Sequence, residues 1–426
     1  MERTIVARTT AEGLTVSDLS VPADGSRSVR SLLARHVRRT LEILLSLPTD
    51  GLDSTTALTF VRTRAVVQRA VKDPAAARRV QQMVHRVVLS GPIHAAYRCL
   101  LNQETRGAYP ERMATLVPEL LAQMSIAGLL PGEGIFWPAA VDAVAWVPAG
   151  VVLRLPDDAE GVHFSPYALQ IRGGSSDGQN ISFDSGAEMP SSGVTVDRSF
   201  SVVSGRMFLS THDTNPLSDF EAHPDKEGNS IDLSDRPASE WVDSLKQSLD
   251  FIEKGLPELR AEMEIVMQQW IPVGYEPERH LSASYQEAIG QAYLTLHPNT
   301  FTMMEAMVHE FQHNKVNALL NLDPLLENAF FPLFSSPVRP DPRPLHGVLL
   351  AVHAFLPVAE LYFRLEDAGV AEVNRPDVKR RIQQIVEGNH AGVDVLRENA
   401  EWTPTGAAFF AQLDALDTAH TTRMGL

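Results

Sequence analysis

The chain has 426 residues, with 37 Lys and Arg against 53 Asp and Glu, for a formal charge of −16. Phosphate contacts need a net positive face, so an acidic chain of this kind is not expected to bind nucleic acid. Its 44% hydrophobic and 21% charged residues describe an ordinary globular protein with enough apolar material for a sizeable core, long enough for two or three domains. No apolar run stands out at the ~20 residues that a membrane span requires, and the start MERTIVARTT lacks a secretory signal, so the expectation is a cytoplasmic protein with no membrane partner. The single cysteine, Cys99, excludes an intramolecular disulfide and an all-cysteine metal site. Its setting, HAAYRCLLN, reads as an apolar helix around an inert buried thiol rather than a nucleophile.

From Val29 to about Leu130 apolar residues recur every three or four positions, through SLLARHVRRTLEILLSL, TTALTFVRTRAVVQRAV, AARRVQQMVHRVVL and RMATLVPELLAQM. That period predicts a helical N-terminal region over 1–130. Its first helix is strongly basic, through Arg27, Arg30, Arg35, Arg38 and Arg39, which reads as a solvated face or as a dock for an acidic peptide. The texture then changes. Short β-type runs (AVAWVP, GVVLRL, YALQIRG, ISFD, GVTV, SFSVVS and RMFLST) alternate with Gly, Ser, Pro and Asp clusters, which predicts a sheet-rich segment over 131–235. Its loops GGSSDGQN and DSGAEMPSSG read as hairpin connections or exposed excursions. Two helices follow, in SEWVDSLKQSLDFIEK and PELRAEMEIVMQQW, the second opened by Pro257. The segments LSASY and GQAYLTL then predict two short strands before a strongly helical run. Together these predict an α+β protein: a helical N-terminal region, then a catalytic domain over 131–426 with an antiparallel or mixed sheet and a helical core over 236–426.

The helical run NTFTMMEAMVHEFQHNKVNALLNL carries His309, Glu310 and His313 in the pattern HExxH. At 100° per residue, positions four apart lie about 40° from each other on one face, so both imidazoles can reach one ion. Glu310 is turned about 100° away, too far for an easy ligand but close enough to meet a metal-bound water or support the site. Asn299 is placed to cap the helix and NLDP to end it. The competing reading is a pair of satisfied core histidines. A third ligand is sought on RPLHGVLLAVHAFLPVAELYFRLE, a second apolar helix from Arg343 to Glu366 with Pro344 near its start. His346, His353, Glu360 and Arg364 share one stripe of it, since seven residues return to nearly the same angle. His346 and His353 are about 10 Å apart along the axis, so only one can join the first pair. His353, at the apolar centre, is the first choice, ahead of Glu360, although a buried core histidine is also a sound reading of it. Lys315 is expected to face away from the ion, and Asn317, one turn beyond His313, to line the site or serve as a structural amide.

At this point the sequence resembles the HExxH-type, α-ketoglutarate-dependent peptide β-hydroxylases that modify ribosomally made natural-product peptides. The resemblance covers roughly the second half, from STHDTNPLSDFEAHP through SASYQEAIGQAYLTL and MVHEFQHNKVNALLNLDPLL to DPRPLHGVLLAVHAFLPVAELY and ENAEWTPTGAAFFAQL. It implies a zincin-like HExxH helix followed by a helical bundle, Fe(II) rather than Zn(II) as the ion, α-ketoglutarate and O2 as co-substrates, and a precursor peptide as partner. The chemistry is consistent, because imidazole suits iron and three protein ligands leave positions for a bidentate keto acid and O2. The keto acid's distal carboxylate calls for a guanidinium. Arg343 is favoured for it over Arg364, with local pairing the plainer role. Ser282, Ser284 and Tyr285 precede the strand beside the HExxH helix and read as substrate contacts or as an ordinary turn.

Two other classes remain open. A zinc metallopeptidase uses the same histidines with Glu310 as general base. The metzincin pattern asks for a third His six residues after the second, and that position is Leu319. A non-catalytic module that holds a precursor peptide on its N-terminal helices would not need the intact His309, Glu310 and His313.

Overall fold

The structure is a computed structural model, and it describes residues 13–23, 25–184, 193–218, 228–334 and 341–426. Its contacts divide the chain into two compact units, one of 37–202 with 208–232 and one of 1–36 with 203–207 and 233–426. The protein is of the α+β class, as its alternation of helical and β-type periodicity predicts.

The unit around residues 37–202 contains the later part of helix α1 (Arg27–Ser46), then α2 (Ser54–Ala70), α3 (Pro74–His85), α4 (Val87–Leu101) and α5 (Tyr109–Ile126). Asp53 caps α2, its carboxylate accepting from the Thr55 and Thr56 amides, and Asp73 caps α3 ahead of Pro74. Cys99 lies buried on α4, and burial pushes its thiol up, as expected of an inert core cysteine. Strands β1 (Ile135–Trp137), β4 (Gly161–Ser165), β5 (Ala168–Arg172) and β6 (Asn180–Ser182) form one antiparallel sheet in the order β1-β4-β5-β6. Strands β2 (Ala143–Trp146), β3 (Val151–Arg154) and β7 (Thr195–Asp197) form a second, in the order β2-β3-β7. GGSSDGQN is the β5–β6 hairpin loop, whereas most of DSGAEMPSSG lies outside the described residues.

A boundary at residue 130 does not separate compact units. Helix α5 packs against β2, β4 and β5, and Leu44, Phe60, Met113 and Leu120 share one core with Val144, Leu153, Val162 and Phe164. Each small sheet has an apolar face that must be covered, and the preceding helices supply the cover. Strands β8 (Phe200–Ser204) and β9 (Met207–Ser210) follow β7 in the chain.

The other unit contains α6 (Ala238–Gly255), α7 (Pro257–Val266), β10 (Gln269–Tyr275), β11 (Ser282–Ala283), β12 (Gln291–Leu296), α8 (Thr300–Leu320), β13 (Leu333–Phe334), β14 (Arg343–Pro344), α9 (Leu345–Asp367), α10 (Pro376–Asn399) and α11 (Pro404–Met424). The helix expected to run on to Trp270 stops at Val266. The following QWIPVGY is buried along almost its whole length, and Pro272 does not suit a helix interior, so it becomes a two-sided buried strand. β12 runs parallel to β10 and antiparallel to the short β11. Helix α8 packs on β11 and β12 and between α6 and α9.

Helix α9 starts at Leu345, two residues later than expected, because Arg343 and Pro344 pair with β13 as a short strand. It is also long and apolar enough to cross a membrane by length and composition, a span that the sequence pattern did not bring out. Most of it is buried within the unit, and the Glu360 and Arg364 on it are paired to each other. That is the setting of a core helix in contact with other helices.

Candidate metal centre

Helix α8 begins where Asn299 accepts a hydrogen bond from the Phe301 amide, as the sequence predicts. Its buried residues occupy nearly every face, from Met303 and Met307 to Phe311 and Leu319, so the helix is enclosed rather than laid on a surface. His309 and His313 keep part of their surface open. Their Nε2 atoms lie 2.8 Å apart. Two nitrogens bound to one ion at 2.0–2.1 Å sit about 3 Å apart, so only a small movement separates this pair from chelation. Together with Glu310, the two histidines offer ligand atoms that all lie within 4.8 Å of one another. Burial, helped by the charge of His346, holds His313 down to about 4. The imidazole is therefore neutral at physiological pH, the form that binds a metal, and its buried Nδ1 has no hydrogen bond.

Glu310 is directed by its neighbours. Its Oε1 accepts a 2.6 Å hydrogen bond from Ser282 Oγ on β11 and lies 4.0 Å from His309 Nε2. Asn314, one turn on, accepts from the Gly290 amide at 2.6 Å and donates to the Gln291 carbonyl at 3.2 Å, tying the helix to the start of β12. On the outer side, Phe355 of α9 lies edge-on to His309 at 4.7 Å, and the Arg381 guanidinium of α10 covers Phe355 at 5.7 Å. Arg381 is itself held by Glu305, whose carboxylate also accepts from Tyr362 at 2.6 Å. Helical spacing gives one hint of this group, because Glu305 stands one turn before His309.

The other expected site residues are placed apart. His353 is fully enclosed on α9 against Phe409, with both ring nitrogens buried and without a hydrogen bond of ordinary geometry. Burial, with Lys315 and His313 nearby, holds it well below the usual histidine range. It does not join the 4.8 Å group of ligand atoms, nor does His346 or Glu360. His346 stands in the first turn of α9, half-buried against the Phe330 ring. Glu360 accepts from Arg364 at 2.6 Å and pairs with His420 at 2.9 Å, and the His420 contact first, then Arg364, holds its carboxyl below the usual range. Asn317 is buried on α8, and Arg343 pairs with Asp341 at 2.8 Å. Ser284 and Tyr285 follow β11, and the Tyr285 ring packs edge-on against Tyr293.

The chain matches no protein family profile and no curated protein sequence.

Proposed function

We propose that this protein is a metal-dependent oxygenase that hydroxylates a side chain, at the β-carbon, in a ribosomally made precursor peptide. The observation that carries the metal reading is the convergence of the His309 and His313 Nε2 atoms beside Glu310 on one enclosed helix. The packing of α8 on β12, with short antiparallel β11 at the sheet edge, supports a zincin-like arrangement.

The donor set fits Fe(II): two imidazoles on one helix beside a carboxylate, the nitrogen and oxygen ligands that suit non-haem iron. We place the third ligand at His346 rather than His353. His346 is only half-buried, in the first turn of α9, whereas His353 is sealed among apolar groups. Bound Fe(II), with α-ketoglutarate and O2, supplies the oxidising power for C–H hydroxylation, the keto acid ending as succinate and CO2. The chain's own part is placement. Ser282 fixes the Glu310 carboxylate beside His309, and Phe355 shields one side of that imidazole from water. Arg343 is the proposed anchor for the keto acid's distal carboxylate. Its present partner, Asp341, is largely exposed, so exchanging that partner costs little. Arg364 and Arg381 are each committed to a more buried carboxylate.

A zinc metallopeptidase is the second reading, and the Glu310 carboxylate at 4.0 Å from His309 Nε2 favours it. There Glu310 accepts the proton of the attacking water. Anaerobic addition of Fe(II) and then α-ketoglutarate separates the two. A weak visible charge-transfer band, lost in His313→Ala and in His346→Ala but kept in His353→Ala, is the expected result. Stoichiometric zinc binding with no such band, and peptide cleavage lost in Glu310→Gln, would replace the oxygenase by the peptidase.

A further inference from the structure

Behind the metal helix, on the face turned from the two histidines, stands a polar group that the proposed chemistry does not use. Lys315 and Glu262 of α7 form an ion pair at 2.8 Å with each side chain only 1% exposed. Lys315 Nζ also donates to the Ser20 carbonyl at 3.3 Å, and Gln312 Nε2 donates to the same carbonyl at 3.0 Å. Gln312 is one of the two residues between the histidines. The Ser20 amide in turn donates to Gln412 Oε1 at 2.9 Å, and Gln412 Nε2 donates to the Val16 carbonyl. The segment from Val16 to Ser20 is thus strapped between α8 and α11.

A buried ion pair is a poor source of stability, because desolvating both charges offsets their attraction, and apolar residues of similar volume serve as well. What such a pair does supply is a defined position for the helix that carries it. A hydrophobic contact tolerates sliding and rotation, whereas a 2.8 Å charged contact combined with two donors on one carbonyl does not. Glu310, Gln312, Asn314 and Lys315 are fixed to neighbouring segments, in turn Ser282, Ser20, Gly290 with Gln291, and Glu262 with Ser20. The helix is therefore held from several sides within the turn and a half that bears His309 and His313.

We infer that Lys315 and Glu262, acting through Gln312 and the Ser20 carbonyl, are positioning residues that set the rotation of the HExxH helix and hence the bite of its two histidines. The inference rests on the metal reading above.

The test is Co(II) binding, followed by its d–d absorption and by chelator competition, in wild-type protein and in the double variant Lys315→Met, Glu262→Met, with thermal unfolding measured alongside. The double variant keeps a melting temperature close to wild type, binds Co(II) at least tenfold more weakly, and shifts the d–d band. A double variant with wild-type affinity and band shape would overturn the positioning role. Should the double variant fail to fold, Gln312→Met removes one arm of the strap without stranding a charge. It is expected to weaken Co(II) binding severalfold with a changed band, and unchanged binding and band would overturn the inference. Wild-type protein that binds no Co(II) would remove the metal reading itself, and the positioning role with it.

Discussion

Ser282 is the residue on which the two catalytic readings make contact with experiment, since it holds Glu310 in both. A hydrogen bond to a charged group is worth about 1.5–3 kcal/mol. Ser282→Ala should therefore leave Co(II) affinity within about threefold while lowering turnover roughly ten- to hundredfold. Metal titration beside steady-state kinetics checks this, and equal losses in both would show Ser282 supporting the ligands instead. The histidine pair was legible from spacing alone, because positions four apart on any helix converge. The serine was not. Its loop composition suits an ordinary turn, and only the pairing of β11 with β12 brings it to Glu310.

Among the elements, α11 shows how a motif can be structural. The ENAEWTPTGAAFF stretch has no evident chemistry in sequence, and in the structure Thr403 caps the helix by accepting from the Gly406 amide while donating to buried Asp323 at 2.7 Å. Replacing Thr403 with Val removes both bonds and is expected to cost about 1–3 kcal/mol in urea unfolding, through the lost cap and the stranded carboxylate. Gly406 is required for another reason. A Cβ there would stand 2.0 Å from the Leu325 carbonyl oxygen, which belongs to the backbone and has little freedom to retreat. Gly406→Ala should destabilise by about 1–3 kcal/mol as overpacking, a loss that the same urea titration reads. Most helices could be drawn from periodicity, and α8 down to its Asn299 cap. The end of α7 could not, since EMEIVMQQW is equally apolar on either side of the change from helix to strand. β1 was missed because a run as short as Ile135–Trp137 leaves too few residues for alternation to show, and β4 because GVHFS begins with Gly161 and carries polar His163 and Ser165, a weak strand signal.

At the scale of the whole molecule, two enclosed groups in the unit around residues 37–202 contribute to the pH dependence. Burial pushes the Glu119 carboxyl up to about 7, against the opposing hydrogen bond from Gln123, and pushes His94 down to about 4, with Arg39 adding to the effect. Their signs are opposite. Glu119, raised in the folded state, contributes stability that is present below about 4.5 and is lost as pH rises through about 7. His94, lowered in the folded state, contributes stability that is present above 6.5 and is lost as pH falls toward about 4. Glu119→Gln should accordingly gain on the order of 1 kcal/mol at pH 8 and nothing near pH 4.5. Denaturant unfolding across that range checks it, and a gain that is uniform with pH would show that the carboxyl titrates normally. Fold class was readable from composition and period, whereas the division into units was not. Nothing local in the sequence announces that the helices before residue 130 share a core with the sheets after it, or that residues near 20 fold with residues near 412.

That last pairing has a consequence during synthesis. The amide of Ser20 finds its acceptor 392 residues later, on Gln412, and the carbonyl of Ser20 finds Gln312 and Lys315 nearly 300 residues later. At about 5–20 residues per second, the Val16–Ser20 strap leaves the ribosome roughly 20–80 s before Gln412 is made. For that interval the Val16 carbonyl and the Ser20 amide lack their native partner on the last helix, and α8 emerges into a unit whose closing element does not yet exist. Helix α8, whose own sequence is complete several seconds before Gln412 is made, therefore waits for the last helix to close the strap that holds Gln312 and Lys315.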